Sequence, residues 1–169
     1  MPFAVTHVIL TIVLVDIFRD HFSRKKFPLY FILIAGIAGL APDIDIPISW
    51  LLTLLTGTHV NIHRGVTHSI IFPIIFAALS LVSYKWGKEK WGLFLGILSF
   101  GWIFHLALDG LIWAETAMRP LYPFSSVAWH GVFVLETEFA LGLASSLDAI
   151  ILVLWLLHEQ MTHKIKDYI

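Results

Sequence analysis

Cysteine is absent from the 169-residue chain. Its absence excludes a disulfide framework, a thiolate zinc site and a cysteine nucleophile, so any metal ion must be bound by nitrogen and oxygen atoms. A surplus of positive charge is also absent, because 11 Lys and Arg residues stand against 12 Asp and Glu residues. A protein that neutralises a phosphate backbone needs such a surplus. We therefore do not expect nucleic-acid binding as the main function.

Charged residues of either sign are scarce. They make up 14% of the chain, whereas 58% of the residues are hydrophobic, and the mean hydropathy is +0.83. This composition is typical of a protein that lies in a lipid bilayer. No linker, low-complexity tract or internal repeat divides the chain. We predict an all-α, polytopic transmembrane helical bundle that forms a single integral-membrane domain over residues 1–169.

Five stretches are apolar enough to be membrane spans, which need roughly 17–25 residues. No Lys or Arg precedes Arg19, so the first stretch lacks the basic region of a secretory signal and is predicted to be a retained helix. An eight-residue apolar run at 48–55, closed by Gly57, is too short to cross and predicts an interfacial or re-entrant helix. The predicted spans are about 2–18, 27–41 with its flank, 67–84, 91–113 and 139–157.

The positive residues predict the orientation in the cytoplasmic membrane, because cytoplasmic loops hold the excess of Lys and Arg. Five spans with the N-terminus outside and the C-terminus inside place nine of the 11 positive residues on the cytoplasmic side. Only Arg64 and Arg119 remain outside. The nine are Arg19, Arg24, Lys25, Lys26, Lys85, Lys88, Lys90, Lys164 and Lys166.

This topology brings five polar clusters, distant in sequence, to the outer face. A charged side chain inside a membrane is costly, so such a convergence indicates a functional site. The clusters are His7, the Asp43-x-Asp45 pair, the segment 63–69, the His105/Asp109 pair and the segment 119–125.

Each cluster has a metal-binding interpretation and a structural alternative. His105 and Asp109 are one helical turn apart and can share an ion, or they can form a hydrogen bond between helices. Asp43 and Asp45 can converge on a hard cation because Pro42 and Pro47 discourage a regular helix, or they can be solvated loop carboxylates.

The segment HRGVTHS at 63–69 combines two candidate ligands with a cation. A bend at Gly65 can bring His63 and His68 together, Thr67 can cap the following helix, and Arg64 can hold an anion such as phosphate. The alternative is a capped helix start with histidines at the membrane interface. His7 alone is an ordinary boundary histidine, and its candidacy depends on the other clusters.

Three further residues receive structural interpretations. Asp16 is predicted to pair with Arg19 at the cytoplasmic end. Asp148 is predicted either to support the metal ligands or to hold helices together, without being a ligand itself. His158 faces the cytoplasm and is excluded from the ligand pool.

The motifs, in this order on a polytopic chain, resemble the YdjM-type family of inner-membrane proteins, whose members are described as metal-dependent hydrolases and as LexA-binding. The resemblance rests on His7, APDID at 41–45, HRGVTHS at 63–69, HLALDG at 105–110 and RPLYPFS at 119–125. The family usually has a histidine directly after PDID, where this chain has Ile46.

The residues and the resemblance together predict a membrane-bound hydrolase with one or two divalent ions, Zn, Mn or similar. A lipid or lipid-linked phosphoester is the expected substrate because the site faces the outer leaflet. Asp43, Asp45 and Arg64 are the expected catalytic residues, with one Asp as ligand or general base, and Arg64 and Arg119 are expected to bind the anionic group. The predicted metal ligands are His7, Asp43, Asp45, His63, His68, His105 and Asp109.

Two other functions use the same residues. A transporter would bind its ion near the midplane, but five spans without a repeat and ligands at one face argue against it. A non-catalytic scaffold with a structural metal is the second alternative. An open coordination position distinguishes the enzyme from the scaffold.

Overall fold

The computed structural model describes residues 4–23, 26–111, 117–133 and 138–162. The predicted all-α fold is confirmed within these ranges, which contain no named strand and only isolated bridges such as that between Met118 and Trp129. The α-helices are α1 (Ala4–Ile17), α2 (Tyr30–Leu40), α3 (Asp45–Thr56), α4 (Ile71–Lys85), α5 (Glu89–Leu111) and α6 (Glu138–Thr162).

Two helical stretches are long and apolar enough to cross a bilayer. They are Tyr30–Thr56, in which α2 and α3 follow each other, and Glu89–Leu111, which is α5. Helix α4 is apolar but has only 15 residues, which at 1.5 Å per residue gives about 22 Å against a hydrocarbon core of about 30 Å. Two described stretches thus meet the length and composition of a membrane span, and the five-span bundle stays a prediction.

The directions of the helices follow from the contacts between them. Ile12 contacts Gly36 and His7 contacts Gly39, so α1 and α2 are antiparallel. Ala38 near the end of α2 packs on Gly101 of α5, and Tyr30 at the start of α2 lies against the ammonium group of Lys90 at the start of α5. Helices α2 and α5 are therefore parallel.

The other two helices complete this pattern. Helix α4 is antiparallel to α5, because Ser80 binds the carbonyl of Gly92 and Ser99 binds the carbonyl of Pro73. Helix α6 is parallel to α1, because Thr6 binds Asp148 while Trp155 binds Asp16 further along both helices. The start of α1 therefore lies at the same end of the bundle as the ends of α2 and α5 and the start of α4.

Among the described residues, the most deeply buried apolar side chains lie on α2, which packs against both α1 and α5. Ile32, Ala35 and Ala38 on α2 are fully buried. Large apolar side chains point outward instead, as shown by Ile37 and Leu81, each 70% exposed. An apolar exterior of this kind suits contact with lipid.

The segment between α2 and α3 departs from the prediction. Residues Ala41–Ile44 form a 3₁₀ turn, as expected where Pro42 interrupts a regular α-helix. Asp45, however, starts a regular 12-residue helix. Pro47 lies in the first turn of that helix, where a backbone N–H has no helical partner, and so it does not interrupt it. The short helix predicted at 48–55 begins three residues earlier and ends at Thr56, and Gly57 caps it with φ 67°.

The predicted pairing of Asp16 with Arg19 is wrong. The Arg19 guanidinium binds Asp20 at 2.7 Å and its Nε donates to the carbonyl of Phe27. Asp16 turns toward α6 and accepts a hydrogen bond from Trp155. Asp148 contacts Thr6 at 2.8 Å and thereby joins α6 to α1, as predicted for a residue that holds helices together. Arg24, Lys25, Lys164 and Lys166, used to predict the orientation, lie outside the described residues.

Candidate metal centre

The seven predicted ligands lie together at one end of the bundle, although they come from five separate segments. His7 is on α1, Asp43 is in the 3₁₀ turn after α2, and Asp45 starts α3. His63 and His68 flank the turn before α4, and His105 and Asp109 lie one turn apart on α5. We refer to His7, Asp43, Asp45, His63, His68, His105 and Asp109 as the His–Asp cluster.

A sharp turn at 62–68 brings its two histidines together. Arg64 has φ 62°, a left-handed conformation that is uncommon outside glycine. Gly65 leaves space for the turn, because a Cβ atom there would lie 2.9 Å from the carbonyl oxygen of Ile62. The ring centroids of His63 and His68 end up 5.0 Å apart. The predicted bend is therefore present, with its unusual conformation at Arg64.

Three ligand atoms in the middle of the His–Asp cluster form a nearly regular triangle. Nε2 of His105 lies 3.3 Å from Nε2 of His68 and 3.4 Å from Oδ1 of Asp43. The third side, from His68 Nε2 to Asp43 Oδ1, is 3.6 Å. In a tetrahedral site with ligand distances of about 2.0–2.1 Å, ligand atoms lie about 3.3–3.4 Å apart. These spacings fit a divalent ion of the size of zinc.

The protonation of the two rings supports the same conclusion. Nδ1 of His105 lies 2.7 Å from the carbonyl oxygen of Gly39, and Nδ1 of His68 lies 3.2 Å from Oδ2 of Asp45. Both acceptors lack a proton, so each Nδ1 must carry one and donate it. When both rings are neutral, each Nε2 therefore presents a lone pair toward the centre of the triangle. Metal-binding histidines are commonly held by such a bond from the other ring nitrogen.

Asp43 supplies the third group to this centre. Its Oδ1 is buried and makes no geometrically acceptable hydrogen bond to any described residue. Two imidazole lone pairs and a carboxylate oxygen therefore face one another. A buried group without compensation is costly, and a cation or a proton is needed between these atoms.

Asp109 lies beside this triangle and is a candidate fourth ligand. Its Oδ2 is 3.5 Å from Nε2 of His68 and 3.0 Å from a guanidinium nitrogen of Arg64. Its Oδ1 is 3.5 Å from Nε2 of His7. The His7 ring also stacks on His105 at a centroid distance of 3.9 Å. His7 thus contacts both residues of the HxxxD pair, His105 and Asp109.

Both carboxylate oxygens of Asp45 accept hydrogen bonds from the segment at 63–68. Its Oδ2 accepts from the Thr67 hydroxyl at 2.5 Å, the backbone N–H of Arg64 at 3.2 Å and Nδ1 of His68 at 3.2 Å. Its Oδ1 lies 2.9 Å from Nδ1 of His63. The carboxylate joins the start of α3 to the whole turn. Thr67, predicted as a helix cap, uses its hydroxyl for this bond, and Ser69 caps the N–H of Ile71.

The His–Asp cluster is almost completely enclosed, and its open edge lies at Asp43 and His63. The side chains of His68 and His105 have no exposure, whereas those of Asp43 and His63 are 13% and 12% exposed. His63 also lines a groove of about 740 Å³ beside α3, together with Ile46, Trp50, Leu54 and Val60. A small molecule can therefore approach from this side.

The two arginines predicted to bind an anion lie in different surroundings. Arg64 is 1% exposed and its guanidinium faces Asp109. Arg119 is exposed on the loop that follows α5. That loop does reach this end of the bundle, because the carbonyl of Pro120 accepts from the N–H of Ile70 at 2.9 Å, and the hydroxyl of Ser69 donates to the carbonyl of Tyr122.

Two residues that hold the ligands in place were not predicted from the sequence. Trp102 donates its indole N–H to the carbonyl of Thr67 at 2.9 Å, and the carbonyl of Gly39 orients His105. Trp102 lies three residues before His105 and could have been recognised as sharing its helix face. The acceptor at Gly39 could not, because a backbone carbonyl leaves no mark in the sequence.

Comparison with known proteins gives a match to one family. The family model described as YdjM inner membrane protein matches residues 1–165. No curated protein and no solved structure matches the chain. The family match covers all seven residues of the His–Asp cluster.

Proposed function

The chain belongs to the YdjM inner membrane protein family, and from this membership and the geometry of the His–Asp cluster we propose that it is a membrane-bound, metal-dependent hydrolase. Its expected substrate is a phosphoester or a lipid-linked molecule at the outer face of the membrane. The observation that carries the proposal is the triangle of Asp43, His68 and His105, whose ligand atoms lie 3.3–3.6 Å apart.

Asp43, His68 and His105 are the proposed metal ligands, with Asp109 as the fourth group. When bound, a divalent ion would polarise an oxygen of the substrate and lower the pKa of a coordinated water molecule toward 7. Arg64 holds Asp109 in place at 3.0 Å. We assign Arg64 to this positioning role, because its guanidinium is buried against the carboxylate.

His63 is the proposed proton-transfer residue. Its Nδ1 donates to Asp45 at 2.9 Å, which leaves the lone pair on Nε2. That Nε2 atom is itself buried and makes no hydrogen bond within the described part of the chain, so the exposed fraction of the side chain belongs to the other atoms of His63. A partly exposed imidazole, oriented by a buried carboxylate at the open edge of a metal site, is suited to general acid–base catalysis. Asp45 acts here as the residue that orients both His63 and His68.

The groove beside His63 is the proposed binding site for the substrate. Its apolar walls include Trp50, Leu54 and Ile46, and polar groups of His59 and Asn61 line the same groove. Ile46 stands where the family usually has a histidine, so this chain presents an apolar wall at that position. Such a mixed groove suits a molecule with a polar head and an apolar chain.

We also propose the five-span topology with the N-terminus outside and the C-terminus in the cytoplasm. The alternating directions of α1, α2, α4, α5 and α6 support it, because consecutive spans must run in opposite directions. In this arrangement the His–Asp cluster faces outward.

The test is a hydrolysis screen on the purified, detergent-solubilised chain. Its substrates are a nitrophenyl phosphate, a bis-nitrophenyl phosphate and phosphatidic acid, each assayed with Zn²⁺, with Mn²⁺ and with a chelator. We expect metal-dependent turnover that His63→Gln lowers about 10²- to 10⁴-fold without loss of bound metal, as is typical of a general acid or base. Exposed His130, on the loop after α5, offers a matched control in His130→Gln, which should retain activity.

Two outcomes would contradict parts of this proposal. Metal retention with no turnover of any substrate favours the scaffold. An equal loss of bound metal in His63→Gln and His105→Ala would make His63 a ligand, and its proposed role in proton transfer would be wrong.

A further inference from the structure

A second group of ligating side chains lies near the opposite end of α1. The ligand atoms of Asp16, His158 and Glu159 lie within 4.8 Å of one another. Asp16 and His7 are nine residues apart on one helix, which corresponds to about 14 Å. This group, which we name the Asp16 cluster, is therefore separate from the His–Asp cluster.

The Asp16 cluster places two carboxyl groups in a buried position. Asp16 is 2% exposed and Glu159 is 8% exposed. Oδ2 of Asp16 accepts from the indole N–H of Trp155 at 3.2 Å, whereas its Oδ1 is buried with no hydrogen-bond donor among the described residues. Two facing carboxylates cannot both stay ionised in such surroundings unless a positive group lies between them.

The nearby described basic residues are engaged elsewhere. Arg19 and Lys26 both pair with Asp20, at 2.7 Å and 3.3 Å. Arg19, which the sequence predicts as the partner of Asp16, therefore binds Asp20 instead. Within the described part of the chain, His158 offers a nitrogen donor to the Asp16 cluster, with Nε2 4.0 Å from Oδ2 of Asp16 and a side chain that is 47% exposed.

We propose that Asp16, His158 and Glu159 bind a divalent cation that fastens α6 to α1. One imidazole nitrogen and two carboxylates form a donor set that suits Mn²⁺ or Zn²⁺. Asp16 comes from α1 and the other two ligands come from α6, so the ion joins the two helices where they run parallel. The exposed imidazole edge gives the ion a route of entry. This proposal is independent of the proposed hydrolase function.

Mn²⁺ binding to the full chain in detergent tests the proposal. Electron paramagnetic resonance counts the bound ions, and the wild type is compared with Glu159→Gln and with Asp16→Asn. We expect each variant to bind about one Mn²⁺ fewer per chain than the wild type. Glu89→Gln is the matched control, because it removes one carboxylate from the start of α5 at the same end of the bundle and should leave the count unchanged.

Trp155 offers a second measurement that does not depend on the carboxylate variants. Paramagnetic Mn²⁺ at the Asp16 cluster should quench the fluorescence of Trp155, which contacts Asp16 directly. That quenched component should vanish in Trp155→Phe and remain in Trp102→Phe, since Trp102 contacts the turn of the His–Asp cluster.

An unchanged number of bound ions in both Glu159→Gln and Asp16→Asn would overturn the proposal and would indicate a proton shared by the two carboxyl groups. A quenched component that persists in Trp155→Phe would also overturn it.

Discussion

The variant Asp45→Asn tests whether Asp45 is a metal ligand or positions the residues that bind the metal. Asparagine has almost the same size, and its amide oxygen can take the place of Oδ2, which accepts from Thr67, Arg64 and His68. The amide NH₂ then faces His63, whose Nδ1 can accept in its other tautomer. The contacts are kept, but the negative charge is lost.

The magnitude follows from those three bonds. A hydrogen bond to a charged group contributes about 1.5–3 kcal/mol and a neutral one about 0.5–1.5 kcal/mol, so each bond loses about 1 kcal/mol and the turn loses about 3 kcal/mol. Loss of a residue that orients a ligand typically lowers metal affinity about 10- to 100-fold, or about 1.4–2.8 kcal/mol. We expect Asp45→Asn to weaken zinc binding by this factor and to keep the same number of ions.

The assay is a competition titration of detergent-purified protein with a chromophoric zinc chelator, with metal content measured after gel filtration. Asp43→Asn is the comparison variant and should lose the ion altogether, because Asp43 is a proposed ligand. Asp20→Asn removes a carboxylate that pairs with Arg19 and should have no effect. Equal and complete loss of metal in Asp45→Asn and Asp43→Asn would refute the reasoning and make Asp45 a ligand. Unchanged affinity in Asp45→Asn would refute it as well.

Three other changes test the arrangement of the site. In Arg64→Lys we expect metal affinity to fall about tenfold, because the shorter ammonium cannot occupy the position of the guanidinium nitrogen that lies 3.0 Å from Asp109. Unchanged metal affinity with weaker substrate binding would return Arg64 to the anion-binding role. Gly101→Ala should lower thermal stability, because the added Cβ would lie 2.6 Å from the Cβ of Ala38, whereas Gly110→Ala should not, because its Cβ would lie 3.6 Å from Met118. A similar melting temperature for both variants would show that α2 and α5 can separate. Cysteines placed at Lys88 and Ser125 in this cysteine-free chain should label from opposite sides of the membrane, and labelling of both from outside would end the five-span proposal.

The sequence by itself determined the class of the protein and the composition of its candidate site. Hydropathy sufficed for an all-helical membrane protein because the length and apolar content of a helix are local properties. The motifs also identified the family correctly, and the structure brings together the seven predicted ligands. The bend in HRGVTHS could be predicted as well, because a glycine between two histidines signals local backbone freedom.

Only the tertiary structure decided which roles those residues can take. Asp43 and Asp45 look equivalent in the sequence, yet one faces two imidazole lone pairs and the other accepts from the turn that carries them. The partners of Asp16 likewise depend on how α6 lies against α1, which placed Trp155 nearer to it than Arg19. Hydrogen bonds between distant segments depend on packing, and spacing along the chain does not encode them. The sequence thus identified the residues of the candidate site, whereas the fold decided which of their atoms lie in contact.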